Sequence, residues 1–364
     1  MAAVETSVHP KKLNVGVVGI GRIGREHARN VLHKVHRANL LVACSPAEGD
    51  LRWGAEELAP CGVQVVKTFD ELIETPGLDA ILIASPTKLH SAQAHVAINK
   101  GIHVLIEKPV CATIDEVIEL VKRSEASPET KVMVAFVRRF DADYKEAYAA
   151  IEKGAIGRPL VVRSQSCEEA IRSPWYTNYL RGSGGIFVDS VIHDIDLSLK
   201  FLGDDSQPKS VSAVGVSAVH TDLEQIGDAD NAVGVCEFWD GRIAYYYNSR
   251  ITTYGFDNQT EIFGTEGKIS VNLQPRRSAV EIMDKDKVIK SGIVGDPFLR
   301  YEPAYLQEVV EWVDAIMDNK PVPVPLRSSI TSLRVATALQ KALATGQKIL
   351  FTRDGIPTDV SEKP

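Results

Sequence analysis

The chain has 364 residues, of which 44% are hydrophobic and 24% charged, and its formal net charge is −7. This length favours two domains, and the ordinary globular composition excludes a fibrous or low-complexity protein. The acidic balance, with both signs interspersed, argues against nucleic-acid and anionic-membrane partners, which would require a basic patch. The five cysteines are scattered singly, without the paired spacing of a zinc site, as is typical of reduced thiols inside a cell.

The amino-terminal segment MAAVETSVHPKK lacks the apolar run of a signal peptide, and no later segment is apolar enough to cross a membrane. We therefore expect residues 1–12 to be a disordered leader and the fold to begin near Leu13. The expected location is the cytoplasm.

In the first third of the chain, short apolar runs alternate with helical patterns. The runs LNVGVVG and DAILIAS are apolar throughout, which is typical of strands in a parallel sheet that is covered on both faces. Helical segments such as RIGREHARNVL separate them. The alternation predicts an α/β domain with a doubly wound (Rossmann) parallel sheet over residues 13–137.

Beyond residue 137, strand-like runs follow one another with turns between them. One hairpin is predicted around Asp240-Gly241, and two more in residues 258–274 and 278–294. Helical patterns over residues 304–318 and 332–346 close the chain. Residues 138–364 are therefore predicted to form an α+β domain around a mostly antiparallel sheet, which would bind substrate and mediate oligomerisation.

A glycine motif, Gly19-x-Gly21-x-x-Gly24, lies directly between the first strand and the first helix. The first glycine permits a tight turn, the second lets a pyrophosphate approach the backbone, and the third lets helix and strand pack closely. The helix amino terminus then offers N–H groups and a positive dipole end to the phosphates. The motif predicts a dinucleotide site rather than a plain turn, with Arg22 and Ile23 at the same loop.

The identity of the dinucleotide depends on Ser45, at the end of the second strand. An acidic residue here would bind the ribose 2′-hydroxyl of NAD. Serine removes the repulsion against a 2′-phosphate, and Arg22 or Arg52 could add positive charge, although Glu48 and Asp50 lie close by. NAD and NADP both stay open, with a slight lean to NADP or to dual use.

Glu107-Lys108-Pro109 follows the apolar strand HVLI. In an open α/β sheet, ligands bind at the carboxyl ends of the strands, so this lysine lies where chemistry is expected. Its ammonium could stabilise negative charge on a substrate oxygen, and Pro109 restricts the local backbone. The alternative is a surface lysine that happens to end a strand.

The segment from Gly184 to Gly203 is predicted to be one helix with two stripes. At about 100° per residue, Asp189, His193 and Asp196 fall on a polar stripe beside an apolar one. A histidine with a carboxylate one turn away suits removal of a proton from an alcohol.

Three other interpretations of that polar stripe stay open: half of a metal site, a satisfied core histidine, and a solvated face. No further ligand cluster is evident in the sequence, so no metal is expected. Asp194 and Ser198 are predicted to point away from both stripes. His27, His33 and His36 are predicted to be ordinary surface or helix residues.

Several motifs in order along the chain resemble the Gfo/Idh/MocA family of oxidoreductases, most closely its inositol 2-dehydrogenase branch. Besides the glycine loop, they are SPTKLH after the fourth strand, EKP after the fifth, FVRRFDADY entering the second domain, and DSVIHDID. The resemblance covers nearly the whole chain. The order EKP then D-x-x-x-H is specific to the family.

The resemblance implies an NAD(P)-dependent enzyme that moves a hydride between nicotinamide and a CH–OH group of a polyol, inositol, sugar or related cyclic compound. His193 would take the hydroxyl proton, Asp189 would orient or relay it, and Lys108 would polarise the oxygen. A homodimer or homotetramer is implied as well. The residues implied to line the cofactor are Ser85, Thr87, His90 and Glu107, and those implied to contact substrate are Arg138, Asp196 and Tyr254.

His90 has a simpler interpretation too, as a polar residue at the start of a helix. Two other functions also remain possible. One is a non-catalytic regulator on this scaffold, like the galactose-regulon repressor of yeasts, which the presence of Lys108, Asp189 and His193 argues against. The other is a glycosidase of the NAD-dependent type, in which a transient oxidation assists bond cleavage.

Overall fold

The computed structural model describes residues 12–171, 173–203, 206–273, 282–283, 289–290 and 293–358. The chain divides into two compact units. The first contains the chain up to Ala135 and also Tyr305–Leu326, and the second contains Phe136–Ala304 and the chain from Arg327 onwards. The chain therefore passes between the units three times, whereas the sequence-based division, 13–137 and 138–364, has a single boundary.

The first unit is built on a six-stranded sheet in the order β3-β2-β1-β4-β5-β6, with every neighbouring pair parallel. The strands are β1 (Leu13–Val18), β2 (Ala38–Cys44), β3 (Gln64–Val66), β4 (Ala80–Ile83), β5 (His103–Glu107) and β6 (Val132–Ala135). The helices are α1 (Arg22–His33), α2 (Glu48–Glu57), α3 (Phe69–Ile73), α4 (Thr87–Asn99) and α5 (Ile114–Glu125), with a 3-10 helix at Ala59–Cys61. This strand order is that of a doubly wound dinucleotide-binding sheet and confirms the predicted fold.

Local sequence explains where several of these elements begin. Every residue of β4 and β6 is buried, as expected for strands covered on both faces. Capping boxes start α3, with Thr68 and Glu71, and α5, with Thr113 and Glu116. In each box the threonine and glutamate side chains satisfy backbone N–H groups that the first helical turn leaves without partners.

The second unit is built on a seven-stranded sheet in the order β12-β11-β7-β10-β9-β8-β15. All of its pairs are antiparallel except β7 with β10, which confirms the predicted mostly antiparallel sheet. The strands are β7 (Pro159–Glu169), β8 (Pro208–Val216), β9 (Asn231–Phe238), β10 (Ile243–Thr252), β11 (Asp257–Gly264), β12 (Lys268–Val271) and β15 (Ile349–Leu350). β13 (Ile282–Met283) and β14 (Ile289–Lys290) form a separate antiparallel pair.

The remaining helices follow the same chain order. They are α6 (Ala142–Glu152), α7 (Pro174–Gly182), α8 (Ile186–Asp189), α9 (Ile192–Leu202), α10 (Pro297–Met317) and α11 (Ser328–Thr345), with 3-10 helices at Val137–Phe140 and Thr221–Ile226. Because α10 crosses from Ala304 to Tyr305, its carboxyl-terminal part belongs to the first unit. No helix in the described part of the chain is long and apolar enough to cross a membrane.

The two faces of the larger sheet differ. Helices α9 and α11 pack on one face, against β7 and β8. The other face presents apolar side chains in a row across three strands, because Val214 pairs with Val233 and Val233 with Tyr247. These three residues are all exposed, Val214 to 70%.

The predicted single helix from Gly184 to Gly203 is instead two helices, α8 and α9. The N–H of Val191 bonds to the carbonyl of Ile186, five residues back, which widens the turn between them. α9 then ends as predicted at Gly203, whose φ of 93° suits a glycine. Asp189 therefore ends one helix, while His193 and Asp196 belong to the next.

Candidate active site

The glycine loop after β1 has the geometry that its motif predicts. Gly19 has a φ of 87°, and a Cβ there would lie 2.8 Å from the carbonyl oxygen of Ala84. A Cβ on Gly24 would lie 1.8 Å from the carbonyl oxygen of Gly19, so only glycine lets α1 approach the loop this closely. A Cβ on Gly21, by contrast, would meet nothing within 4 Å.

The start of α1 is open to an anion. Gly21 precedes the helix, no side chain caps it, and its first turn has no acidic residue. Arg22 is exposed and Ile23 half-buried in that first turn. Backbone N–H groups and the helix dipole favour a phosphate at such a position, so the loop fits a dinucleotide.

The loop lies at the switch point of the sheet, because β1 has β2 on one side and β4 on the other. Ligands of doubly wound sheets bind in the crevice at this point, beyond the carboxyl ends of the strands. Ser85 and Thr87, which follow β4, are both half-buried. The hydroxyl of Ser85 donates to Oε1 of Gln93 at 2.6 Å, which fixes this side of the crevice.

His90 connects the loops after β4 and β5. Its Nε2 lies 2.7 Å from the carbonyl oxygen of Ser85, and its Nδ1 lies 3.1 Å from that of Pro109. Burial lowers the pKa of His90 below its ordinary value. His90 is only 1% exposed, so its buried ring connects the two loops through these contacts.

At the end of β2, Ser45 is bonded to Asp50, one of the two acids that the sequence places close by. The hydroxyl of Ser45 donates to Oδ2 of Asp50 at 2.8 Å, and Asp50 forms an ion pair with Arg25 at 2.9 Å. Arg25 in turn stacks over the ring of Trp53, 5.0 Å from its centre. A carboxylate in the first turn of α2 thus lies beside Ser45.

Glu107 ends β5 inside the protein. It accepts the backbone N–H of Lys108 at 3.1 Å and the Nε2–H of His27 at 2.8 Å. Lys108 is half-buried, and its bond to Pro109 is cis. The expectation that His27 is an ordinary helix residue missed its contact with Glu107. The available signal was its place three residues after Gly24, on the face of α1 that packs against the sheet.

In the second unit, Asp189 and His193 are half-buried at the junction of α8 and α9. The hydroxyl of Tyr179 donates to Oδ1 of Asp189 at 2.7 Å, and Arg250 lies 3.5 Å from Oδ2. The side chain of Arg250 is fully buried and pairs with Asp228 at 2.8 Å. A hydroxyl and a buried cation therefore hold the Asp189 carboxylate in place.

Asp194 was predicted to point away from both stripes, and this prediction was wrong. It is buried, forms an ion pair with Arg138 at 2.7 Å, and accepts hydrogen bonds from Ser164 and Ser166. Ser198, also predicted to point away from both stripes, is buried as well. The physical reason is that α9 is covered on most of its circumference, since it packs against both β7 and α11.

Asp196 is also part of a buried ion pair. Arg139 donates to both of its carboxylate oxygens, at 2.6 and 2.7 Å. Asp196 is 1% exposed and Arg138 5%. Tyr254 differs, because 53% of it is exposed and its hydroxyl lies 3.5 Å from Asp257.

The predicted residues thus form two groups. The first unit brings together the glycine loop, Ser85, His90, Glu107 and Lys108, and the second contains Asp189, His193, Arg138, Asp196 and Tyr254. Sequence reasoning missed the partners that hold them, which are His27, Tyr179, Arg139 and Arg250, and it noted Asp50 only as a nearby acid. Each partner is distant in the chain from the residue that it holds or lacks a motif, so no local spacing marks it.

A sheet of this order, with a glycine loop after its first strand, defines a dinucleotide-binding protein of the Rossmann class. A model of an oxidoreductase family with an NAD-binding Rossmann fold matches residues 13–136, and a model of the GFO/IDH/MocA C-terminal domain matches residues 144–270. The chain belongs to the Gfo/Idh/MocA family of oxidoreductases, as its motifs predicted.

Relatives match over nearly their full length. The myo-inositol 2-dehydrogenase of Thermotoga maritima is 33% identical over 340 residues, which are 91% of this chain and 96% of that protein. The scyllo-inositol 2-dehydrogenase (NAD(+)) of Bacillus subtilis is 30% identical and covers 93% and 96%. The solved structure of scyllo-inositol dehydrogenase from Lactobacillus casei with bound NAD(H) and scyllo-inositol superposes with a TM-score of 0.87, at 28% identity, over 93% of this chain and 99% of that one. The resemblance to the inositol dehydrogenase branch is confirmed, and the protein is an NAD-dependent oxidoreductase.

Proposed function

We propose that this protein is a dehydrogenase that oxidises a secondary alcohol of an inositol or a related polyol to a ketone. Full-length similarity to named inositol dehydrogenases supports this substrate class. The observation that carries the proposal is that the chain keeps a lysine at the carboxyl end of β5 together with Asp189 and His193 at the junction of α8 and α9. A scaffold with only a binding role would not need these three groups.

The roles of the three residues follow from their chemistry. The His193 ring takes the hydroxyl proton, and the ammonium of Lys108 stabilises the negative charge that develops on the oxygen. Asp189, held by Tyr179 and Arg250, orients the imidazole and stabilises its protonated form. Bound NAD would supply the acceptor for the hydride of the carbinol carbon, so that the products would be a ketone, a reduced nicotinamide and one proton.

We further propose that NAD is preferred over NADP, against the slight lean of the sequence. The carboxylate of Asp50 bonds to Ser45 at the end of β2, where the ribose edge of the cofactor is expected. A carboxylate accepts a hydrogen bond from a 2′-hydroxyl but repels a 2′-phosphate. Arg25 is already paired with Asp50.

The three residues implied to contact substrate have different surroundings. Arg138 and Asp196 are buried in ion pairs, so we propose that they hold α9 in place. Tyr254 is the exposed member of the three and stays a proposed contact for a polyol hydroxyl. We also propose a homo-oligomer that forms through the apolar face of the seven-stranded sheet, for which the exposed row of Val214, Val233 and Tyr247 is the support.

The test is turnover by the purified protein, followed as absorbance of the reduced nicotinamide, with myo-inositol, scyllo-inositol and a panel of polyols and sugars. Lys108→Ala and His193→Ala should each lower kcat by at least about 100-fold, as expected for loss of a charge-stabilising or proton-transfer group. Lys88→Ala, at an exposed position of α4, is the matched control and should keep wild-type turnover.

Absence of turnover across the panel, with NAD binding intact, would contradict the proposal and favour the non-catalytic regulator. Cleavage of a glycoside without net accumulation of reduced nicotinamide would favour the glycosidase instead.

A further inference from the structure

Three ionisable side chains meet in the interior of the first unit. They are His27 from α1, Glu107 from the end of β5 and Glu308 from α10. One ring nitrogen of the histidine and one carboxyl oxygen of each glutamate lie within 4.8 Å of one another. His27 and Glu308 are completely buried, and Glu107 is 8% exposed. Burying an unpaired charge is strongly unfavourable, so this cluster needs a specific arrangement of protons.

Hydrogen bonds distinguish the two carboxyl groups. Glu107 accepts two N–H groups, one from the His27 ring and one from the Lys108 backbone. No group among the described residues donates to either oxygen of Glu308. Donors favour the ionised form of a carboxyl group, and burial without donors favours the neutral form. The proton therefore belongs on Glu308.

The charges around Glu308 point the same way. Burial, and then the charge of Glu107, raise the pKa of Glu308 well above its ordinary value. From α1 the group that faces it is His27, from β5 it is Glu107, and α10 itself adds Tyr305, whose ring meets His27 edge-on at 5.8 Å. A neutral Glu308 avoids placing a second buried carboxylate charge beside Glu107.

A divalent cation is the other species that could neutralise the two carboxylates. However, Nε2 of His27 and Oε1 of Glu107 are 2.8 Å apart, which is a hydrogen-bond distance, and that bond occupies two of the atoms that a cation would need. A cation would have to displace this hydrogen bond, whereas a proton on Glu308 leaves it in place.

We propose that Glu308 is a neutral carboxylic acid at neutral pH and a positioning residue for Lys108. With His27, it confines the Glu107 side chain to the orientation that accepts the Lys108 N–H, and so fixes the backbone that carries the lysine. The link to catalysis rests on the role proposed above for Lys108, whereas the protonation of Glu308 does not.

The first experiment is difference infrared spectroscopy of the full-length protein at pH 8, where an ordinary glutamate is ionised. The wild type should show the carbonyl stretching band of a protonated carboxylic acid, at higher wavenumber than the carboxylate bands. Glu308→Gln should remove this band. Glu302→Gln, at an exposed position of the same helix, is the matched control and should retain it.

The second experiment compares variants by turnover and by NAD binding. Glu308→Gln keeps a neutral group of the same shape, so kcat should stay within about threefold of wild type. Glu308→Ala removes the support of Glu107 and should lower kcat by up to about 100-fold, the effect of a shift of about 1 Å in a catalytic group, with little change in the Kd of NAD. Rescue by glutamine but not by alanine is the signature of a positioning role.

The outcomes separate the two proposals. A wild-type spectrum without the acid band, or a stoichiometric divalent metal in the purified protein that Glu308→Gln loses, would overturn the neutral acid. Equal loss of kcat in Glu308→Gln and Glu308→Ala would overturn the positioning role while leaving the dehydrogenase proposal intact. If no alcohol is oxidised, the spectrum and the thermal stability of the two variants still decide the state of Glu308.

Discussion

At the end of β2, the hydroxyl of Ser45 and the carboxylate of Asp50 lie 2.8 Å apart. The acid that binds the ribose of NAD usually ends this strand, and we propose that Asp50, five residues further along in the first turn of α2, takes that place here. A hydrogen bond thus gives Ser45 an electrostatic environment that the residue itself does not indicate. From the sequence alone, a serine at position 45 gave a slight lean to NADP or to dual use.

Asp50→Asn should therefore shift cofactor preference towards NADP. The change removes the negative charge beside Ser45 and frees Arg25, which can then face a 2′-phosphate. We expect the ratio of kcat/KM for NAD to that for NADP to fall by at least about tenfold, which is about 1.4 kcal/mol. Steady-state kinetics with both cofactors measures it.

Glu48→Gln is the control for this change, because Glu48 is an exposed acid in the same turn of α2. It should leave the ratio unaltered. An Asp50→Asn enzyme with the wild-type ratio would show that another group selects the cofactor.

Lys108, Asp189 and His193 could be proposed from the sequence because short motifs carry them. The contacts that give them their properties were not, because they join distant parts of the chain. Asp228 and Arg250 are 22 positions apart, and His27 and Glu107 are 80. Hydrophobic periodicity reports whether a side chain is buried, but it contains no information about which charge it meets.

Among the elements of the second unit, the short 3-10 helix Val137–Phe140 holds α9 through two adjacent arginines. Arg138 pairs with Asp194, and Arg139 binds both oxygens of Asp196. The sequence predicted most strands of this unit and helical patterns that overlap α9, α10 and α11, since alternation and turn residues are local signals. It did not predict α7 or β15. The sequence also assigned a polar and an apolar stripe to the helix that contains α9. In the structure, α9 is buried almost all round, because Asp194 and Asp196 are paired with arginines rather than solvated.

Asp194→Asn should destabilise the second unit strongly. It leaves the buried guanidinium of Arg138 without its counter-charge, and loss of one partner from a buried pair typically lowers the free energy of unfolding by about 3–5 kcal/mol. Urea unfolding, followed by circular dichroism, measures this loss.

Asp143→Asn is the matched control, because Asp143 pairs with Arg300 at 3.0 Å while 64% exposed. An exposed pair contributes about 1 kcal/mol or less. Equal losses in the two variants would show that burial does not set the strength of the Arg138–Asp194 pair.

At the scale of the whole molecule, the exposed apolar row on the seven-stranded sheet bears on assembly. Val233→Lys places a charge in the middle of this face, which a partner subunit would have to bury. We expect the variant to be a smaller species than the wild type by size-exclusion chromatography with light scattering.

Ile226→Lys, at an exposed apolar position of the 3-10 helix Thr221–Ile226, should leave the molecular mass unchanged. A monomeric wild-type protein, or an oligomer that survives Val233→Lys, would contradict assembly through this face.

The chain passes between the two units three times, and this has a consequence for biosynthesis. Helix α10 places Glu308 close to Glu107. The backbone N–H of Val134, in β6, donates to the carbonyl oxygen of Val324. Domains usually fold in order as they leave the ribosome. Here the nucleotide-binding unit lacks these parts until translation has passed Leu326, so the half that is synthesised first can be completed only when nearly the whole protein has been made.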